Sequence, residues 1–186
     1  MAIGTETAAT IDDLYRVDGK AELIAGRIVH FMASGFLPSW AASRIFLGLN
    51  SHADATGHGI AFTDNIGFAV VPLSSGRESF SPDASFYIGE LPSNRMRFIE
   101  GPPTFAVEVR SEGDYGRSDE SKMAAKRADY FEAGTLAVWD VDPVAKLVHL
   151  YRADAPTSPV TFKPGDDAHA DPAVPGWRIA VDRLFD

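Results

Sequence analysis

The sequence predicts an α/β protein, a mixed β-sheet flanked by helices, and three observations carry that expectation. Apolar, β-branched runs at 104–111, 136–141 and 146–152 read as buried strands. Two longer stretches, from Pro38 and from Ser118, place apolar residues at helical spacing and end in glycine. The elements follow in the order strand, helix, several strands, strand, helix, strand, hairpin, the alternation of a sheet with helices packed on it. At 186 residues the chain can bury a sizeable core as one domain, predicted over 10–186. No internal repeat or linker interrupts it.

Residues 1–9 carry no packing pattern and are predicted to be disordered or loosely held. Thr10 is placed to cap a short helix reaching about Val17, with Asp13 in its first turn. Asp18-Gly19 ends it. Glu22 to Phe31 reads as a hairpin turning at Ala25-Gly26. Pro38 opens the next helix, with Ala42, Ile45, Phe46, Leu49 and Ala53 as its buried stripe, and Gly57 and Gly59 close it. Ile60 to Val71 is strand-rich, broken at Asp64-Asn65 and Gly67. The polar loop 74–78 leads into a strand opened by Pro82 and Asp83. Residues 89–103, with two glycines and three prolines, predict a loop or lid bearing Arg95 and Arg97.

Thr104 to Ser111 is the next strand, and 112–117 a polar connection. Ser118 or Asp119 is the expected cap of a helix running to Ala133, with Ala124, Ala128 and Phe131 as its packing stripe. Lys122 and Lys126 stack on one face of it. Leu136 to Val141 and Lys146 to Arg152 pair through the turn at 142–145. Residues 153–176 predict a loose excursion. Pro175 to Val181 closes the fold, and Leu184-Phe185 is a hydrophobic plug.

Composition narrows the function classes. There is no cysteine, which excludes disulfides, thiolate catalysis and cysteine-ligated zinc. The N-terminus lacks the pattern of a signal peptide, and no apolar run approaches the ~20 residues of a membrane helix. The expectation is a soluble, cytoplasmic protein. A net charge of −9 disfavours tight non-specific binding to nucleic acid but leaves room for a local basic cleft. The five histidines show no ligand spacing, and neither a Walker-type phosphate loop nor a nucleophile elbow is present.

The chemistry-bearing residues stand out by context. Glu108 interrupts an apolar strand, and Arg110, two residues on, faces the same side. A buried carboxylate needs a compensating cation or donor. Asp83 stands at the entry of another strand. Two acids on neighbouring strands with a cation beside one of them suit a hard divalent ion.

Taken together, Glu22 to Val29, Pro82-Asp83, Glu108-Val109-Arg110-Ser111, Lys126 in the run 126–134, Val138 to Pro143 and Pro175-Gly176-Trp177 resemble, in order and spacing, the Uma2 family of restriction-endonuclease-like proteins. The resemblance spans about residue 12 to 186. It implies membership of the PD-(D/E)XK nuclease superfamily and a metal-dependent phosphodiester hydrolase acting on DNA, with a homodimer as the expected assembly. By the same resemblance Asp83 and Glu108 are the ligands of Mg²⁺ or Mn²⁺, the Val109 carbonyl is a further ligand, and Glu22 matches an acidic residue near the first helix. The superfamily's lysine falls on Arg110, which stays protonated and cannot act as a base. Arg110 is still able to stabilise phosphate charge. Lys126 is the candidate relocated lysine, with Lys122 as the fallback.

Each assignment has a plainer rival. Glu108 and Arg110 form a buried ion pair; Asp83 caps a turn after proline; Lys122 and Lys126 are a solvated helix face; Glu22 pairs with Arg27 across the hairpin. Trp40, Trp139 and Trp177 read as core rather than as base-stacking platforms. Two function classes follow: a metal-dependent nuclease, or a degenerate nuclease fold kept as a binding or assembly module.

Overall fold

A computed structural model gives the arrangement of residues 8–186, with elements α1 (Ile11–Leu14), β1 (Ala21–Ile24), β2 (Arg27–His30), α2 (Phe36–Thr56), β3 (Ile60–Thr63), β4 (Phe68–Ala69), β5 (Ser79–Phe80), β6 (Ala84–Tyr87), β7 (Ile99–Glu100), β8 (Phe105–Val109), α3 (Arg117–Ala133), β9 (Ala137–Asp142), β10 (Leu147–Arg152), β11 (Ala155–Phe162), β12 (Asp167–Ala170), β13 (Val174–Ala180) and α4 (Asp182–Phe185). The main sheet has six strands in the order β11-β10-β9-β8-β6-β3, with β8 and β9 parallel and the other pairs antiparallel. The predicted α/β class with a mixed sheet is therefore the observed one. Small sheets β1-β2, β12-β13 and β5-β4-β7 surround it.

Strand alternation divides the sheet into two chemistries. Phe105, Val107 and Val109 of β8 and Trp139 and Val141 of β9 face Ile45 and Leu49 of α2, with Trp177 and Leu184 from the C-terminal elements closing that core. Ala106 and Val138 face the other way, toward Tyr130 of α3, Phe68 and Phe80. Glu108 and Asp140 fall on this second side, directly opposite one another in register.

The β1–β2 hairpin turns at Ala25-Gly26 as predicted. Both residues have positive φ, the requirement of the two-residue turn that matches strand twist. Thr10 forms a complete capping box with Asp13. That helix ends at Leu14 because its last turn tightens: the Arg16 N–H bonds Asp13 at 3.0 Å. Residues 1–7, part of the predicted loose N-terminus, lie outside the described residues. Ala9 is held, its N–H donating to Gly26 O at 2.9 Å.

Several expectations are corrected. α2 begins at Phe36, two residues before Pro38, and its buried line runs through Ala41, with Ala42 and Phe46 flanking it. Trp40 is not core: it is 37% exposed and stacks on Phe36 at 6.0 Å. Residues 153–176 are mostly strand. β11 tolerates Pro156 and Pro159 because it is the sheet's edge. α3 is capped by Gly116, and Asp119 instead lies in the first turn, where the helix N-terminus favours an acid. Its Ala124 and Ala128 are exposed, while Arg127, Asp129 and Tyr130 are buried. α3 turns a polar face inward because the sheet beneath it presents carboxylates.

Candidate active site

The carboxylates under α3 are met by side chains from four directions. Glu22 projects from β1 and is fully buried. The cross-hairpin pair with Arg27 does not form, because Glu22 points inward: its carboxylate accepts from the Ser81 N–H at 3.0 Å and pairs with Arg77. Arg77 in turn donates to Asp129 at 2.8 Å. Lys126 reaches in from α3, its Nζ lying 3.0 Å from Glu22 and 2.9 Å from Glu108. The Tyr130 hydroxyl donates to Glu108 at 2.7 Å.

Asp83 joins this group through the backbone. Its Oδ2 accepts the Val109 N–H at 2.8 Å, which ties the entry of β6 to the end of β8. Its Oδ1 is held by Lys20 at 2.8 Å, and the same ammonium lies 2.6 Å from Asp64. Phe31 lies over both lysines, 5.9 Å from Lys20 and 5.5 Å from Lys126. A cleft of about 510 Å³ opens here, its floor set by Lys20, Glu22, Asp83, Glu108 and Lys126 and its apolar wall by Val29, Phe31 and Met32.

Arg110 is engaged elsewhere. It grips Asp140 with two bonds of 2.8 Å and touches Glu120 at 2.9 Å. The predicted Glu108–Arg110 pair is absent. The planar fork of arginine fits the Asp140 carboxylate bidentately, and the Lys126 ammonium and the Tyr130 hydroxyl are left to answer Glu108. Arg127 adds a third bond to Asp140 at 2.9 Å. Lys122, the fallback lysine, reaches the rim of the cleft but is largely exposed and pairs with Asp119 at 2.7 Å. Lys122 and Lys126 thus share a helix face and have different surroundings. The polar connection after β8 carries Asp114, which accepts the Ser111 N–H at 2.7 Å.

Electrostatics separates the acids. Burial pushes the Glu108 carboxyl above its ordinary value, and the neighbouring Asp83 and Glu22 add to this against Lys126. Burial also opposes ionisation of Glu22, yet Lys126, Arg77 and the Ser81 N–H outweigh it and hold Glu22 low. Lys126 loses hydration but is kept protonated by Glu108 and Glu22. Lys20 is likewise desolvated, and Asp83, Glu108 and Asp64 raise it.

Could these residues hold a metal? Among the described residues, no group of three or more His, Asp or Glu side chains is arranged as a ready-made cation cage. The oxygen donors of Asp83 and Glu108 nevertheless suit a hard ion that keeps most of its own waters. An ammonium already lies against Asp83 as a cation of the protein's own.

Sequence reasoning brought Glu22, Asp83, Glu108, Val109 and Lys126 to one place. It missed Lys20, Arg77, Tyr130 and Asp140. Asp140 carried a readable signal, a carboxylate inside an apolar strand like Glu108. Lys20, Arg77 and Tyr130 offered none, because each is brought in by tertiary contact alone.

A family model named Uma2, described as "Putative restriction endonuclease", matches residues 9–182. No curated protein matches. Among solved structures, one described as a "putative nuclease belonging to DUF820" from Anabaena variabilis superposes with a TM-score of 0.73 at 20% identity, covering 95% of this chain and 97% of that one. At that identity the likeness establishes a shared fold.

Proposed function

The chain belongs to the Uma2 family, and on that footing we propose that it is a metal-dependent nuclease hydrolysing phosphodiester bonds in DNA at the cleft beneath α3. One observation carries the reading. Two acids from neighbouring strands, Asp83 and Glu108, are tied together through the Val109 amide at the floor of a cleft that also holds two lysines.

Asp83 and Glu108, with the Val109 carbonyl, would hold Mg²⁺ or Mn²⁺. When bound, such an ion supplies an acidified water and neutralises phosphate oxygens. The chain's own groups position the rest. The Val109 N–H fixes the Asp83 carboxylate, and Tyr130 and Lys126 fix that of Glu108. Glu22 holds Lys126 in place and keeps it charged. Lys126 is therefore a fixed cation for developing phosphate charge rather than a base. We assign Arg110 to positioning: its donors are spent on Asp140 and Glu120, and it anchors the end of β8. Phe31 and Met32 wall the cleft with apolar surface. The net charge of −9 leaves DNA affinity to the cleft's own cations.

The test is Mn²⁺-supported cleavage of supercoiled plasmid and of single-stranded DNA, with Mn²⁺ binding followed by calorimetry. We expect nicking by the wild type and loss of both readouts in Asp83→Ala and Glu108→Ala. Cleavage that survives in Glu108→Ala would expose a contaminant. Absence of both cleavage and Mn²⁺ binding in the wild type would favour the binding-module alternative, which the neutralisation of Arg110 by Asp140 already supports.

A further inference from the structure

Asp83 has two oxygens, and both are taken. Oδ2 accepts from the Val109 N–H, a side-chain bond at the end of the β6–β8 pairing. Oδ1 is the oxygen left for a metal ion, and it is the one that Lys20 holds at 2.8 Å. Lys20 stands on the bend before β1, yet its side chain is only 14% exposed. It is aimed inward past Phe31, and its ammonium also feels the charge of Glu108. A second partner, Asp64, lies 2.6 Å away on the turn after β3 and is 42% exposed.

We infer that the Lys20 ammonium is an intramolecular competitor for the divalent cation at Asp83, and that Asp64 is the dock to which it withdraws when the cation binds. The inference rests on the metal reading proposed above and adds a regulatory element to the same site. A lysine and a divalent ion that share Asp83 Oδ1 repel one another at this separation and burial, so the ion binds more weakly for as long as Lys20 stays on that oxygen. An arginine fork would seal the acid permanently, whereas an ammonium is a point charge on a flexible stem and can move. Because Lys20 already touches Asp64, withdrawal requires no new partner. Lys126 has no such exit, since it lies between two acids that both belong to the site. The two lysines therefore differ: one is fixed, the other exchangeable. With Lys20 on Asp83 the site is charge-compensated and folded without metal, so its occupancy tracks the free concentration of the ion.

The experiment is Mn²⁺ titration by calorimetry and by the electron paramagnetic resonance signal of free Mn²⁺, on the full chain. Lys20→Met should bind Mn²⁺ roughly ten-fold tighter or more. Lys20→Gln should do the same, and guards against a folding defect peculiar to methionine. Lys20→Arg, which keeps the charge, should bind no tighter than the wild type. Asp64→Asn should weaken binding more in the wild type than in the Lys20→Met background, because only the former has a lysine to park.

Equal affinity in Lys20→Met, Lys20→Gln and wild type would overturn the inference and leave the metal reading standing. Weaker binding in Lys20→Met and Lys20→Gln would also overturn it, by showing that the lysine organises the acids. No binding in any variant would overturn this inference and the metal reading together. An Asp64→Asn effect of the same size in both backgrounds would overturn the docking role of Asp64.

Discussion

Glu108 and Asp140 are neighbours on the parallel pair β8–β9, in register and on the same side of the sheet, yet they are treated in opposite ways. Asp140 is 1% exposed and gripped by two guanidinium groups, Arg110 with two bonds and Arg127 with one. Glu108 keeps about a fifth of its side chain exposed at the cleft and is met by one ammonium and one hydroxyl. An arginine fork saturates a carboxylate in its own plane. A lysine supplies a point charge and leaves lone pairs that another cation can use. The arginine-locked acid has its in-plane lone pairs spent on guanidinium, and the lysine-held acid is the one that the proposed reading gives to an ion.

The largest effect should come from breaking the locked acid. Asp140→Ala leaves Arg110 and Arg127, among the described residues, with Glu120 on the solvent side as their one remaining acidic partner. Removing one member of a buried charge network costs about 3–5 kcal/mol. Urea unfolding should report a loss of that size. A loss below about 1 kcal/mol would show that Asp140 is no more of an anchor than a surface ion pair.

The same experiment on Glu108 should give the opposite balance. Glu108→Gln removes a charge that burial already disfavours, while Lys126 keeps Glu22 as its partner. We expect stability within about 1 kcal/mol of the wild type, in the range of ordinary substitutions. On the proposed metal reading, Mn²⁺ binding and cleavage should nevertheless fall sharply, roughly a hundred-fold or more, because one of its two carboxylate ligands is gone. Stable protein with lost binding sharpens the contrast. A Glu108→Gln protein as unstable as Asp140→Ala would erase it.

How far the sequence carried this contrast depends on which interactions were local. The hairpin, both long helices and the strand of Glu108 were readable because glycine placement and apolar spacing are local signals. The meeting of Asp83, Glu108, Lys126 and Glu22 was readable only through the order of motifs spread from residue 22 to residue 126. Partner choice was not readable. Arg110 is two residues from Glu108 and pairs with it by sequence spacing, but strand geometry sets it against Asp140 on the next strand. Lys20 and Arg77 lie in stretches with no pattern and acquire meaning only when α1, the hairpin and the loop before β5 come together. The inner face of α3 departs from its sequence pattern for a related reason. An apolar stripe is the usual guide to helix burial, and here the buried face carries Arg127, Asp129 and Tyr130 because it answers charges rather than grease.

A smaller, pH-resolved effect separates the acids further. Glu22 is fully enclosed by Lys126, Arg77, the Ser81 N–H and, beyond Arg77, Asp129; despite its burial these cations hold its carboxyl below the ordinary glutamate value. A lowered carboxyl contributes stability that is present above the unfolded value, near 4.5, and is lost as the pH falls through the folded one. Glu108 is raised, chiefly by burial, with Asp83 and Glu22 adding to Lys126's incomplete compensation. Its contribution runs the other way, present below the unfolded value and lost as the pH rises through the folded one. Urea midpoints measured from roughly pH 3 to 8 should therefore show two limbs. Glu22→Gln should flatten the acid limb, and Glu108→Gln the limb above the ordinary glutamate range. If both substitutions flatten the same limb, the two glutamates share one electrostatic role, and Lys126 does not separate a structural acid from an available one.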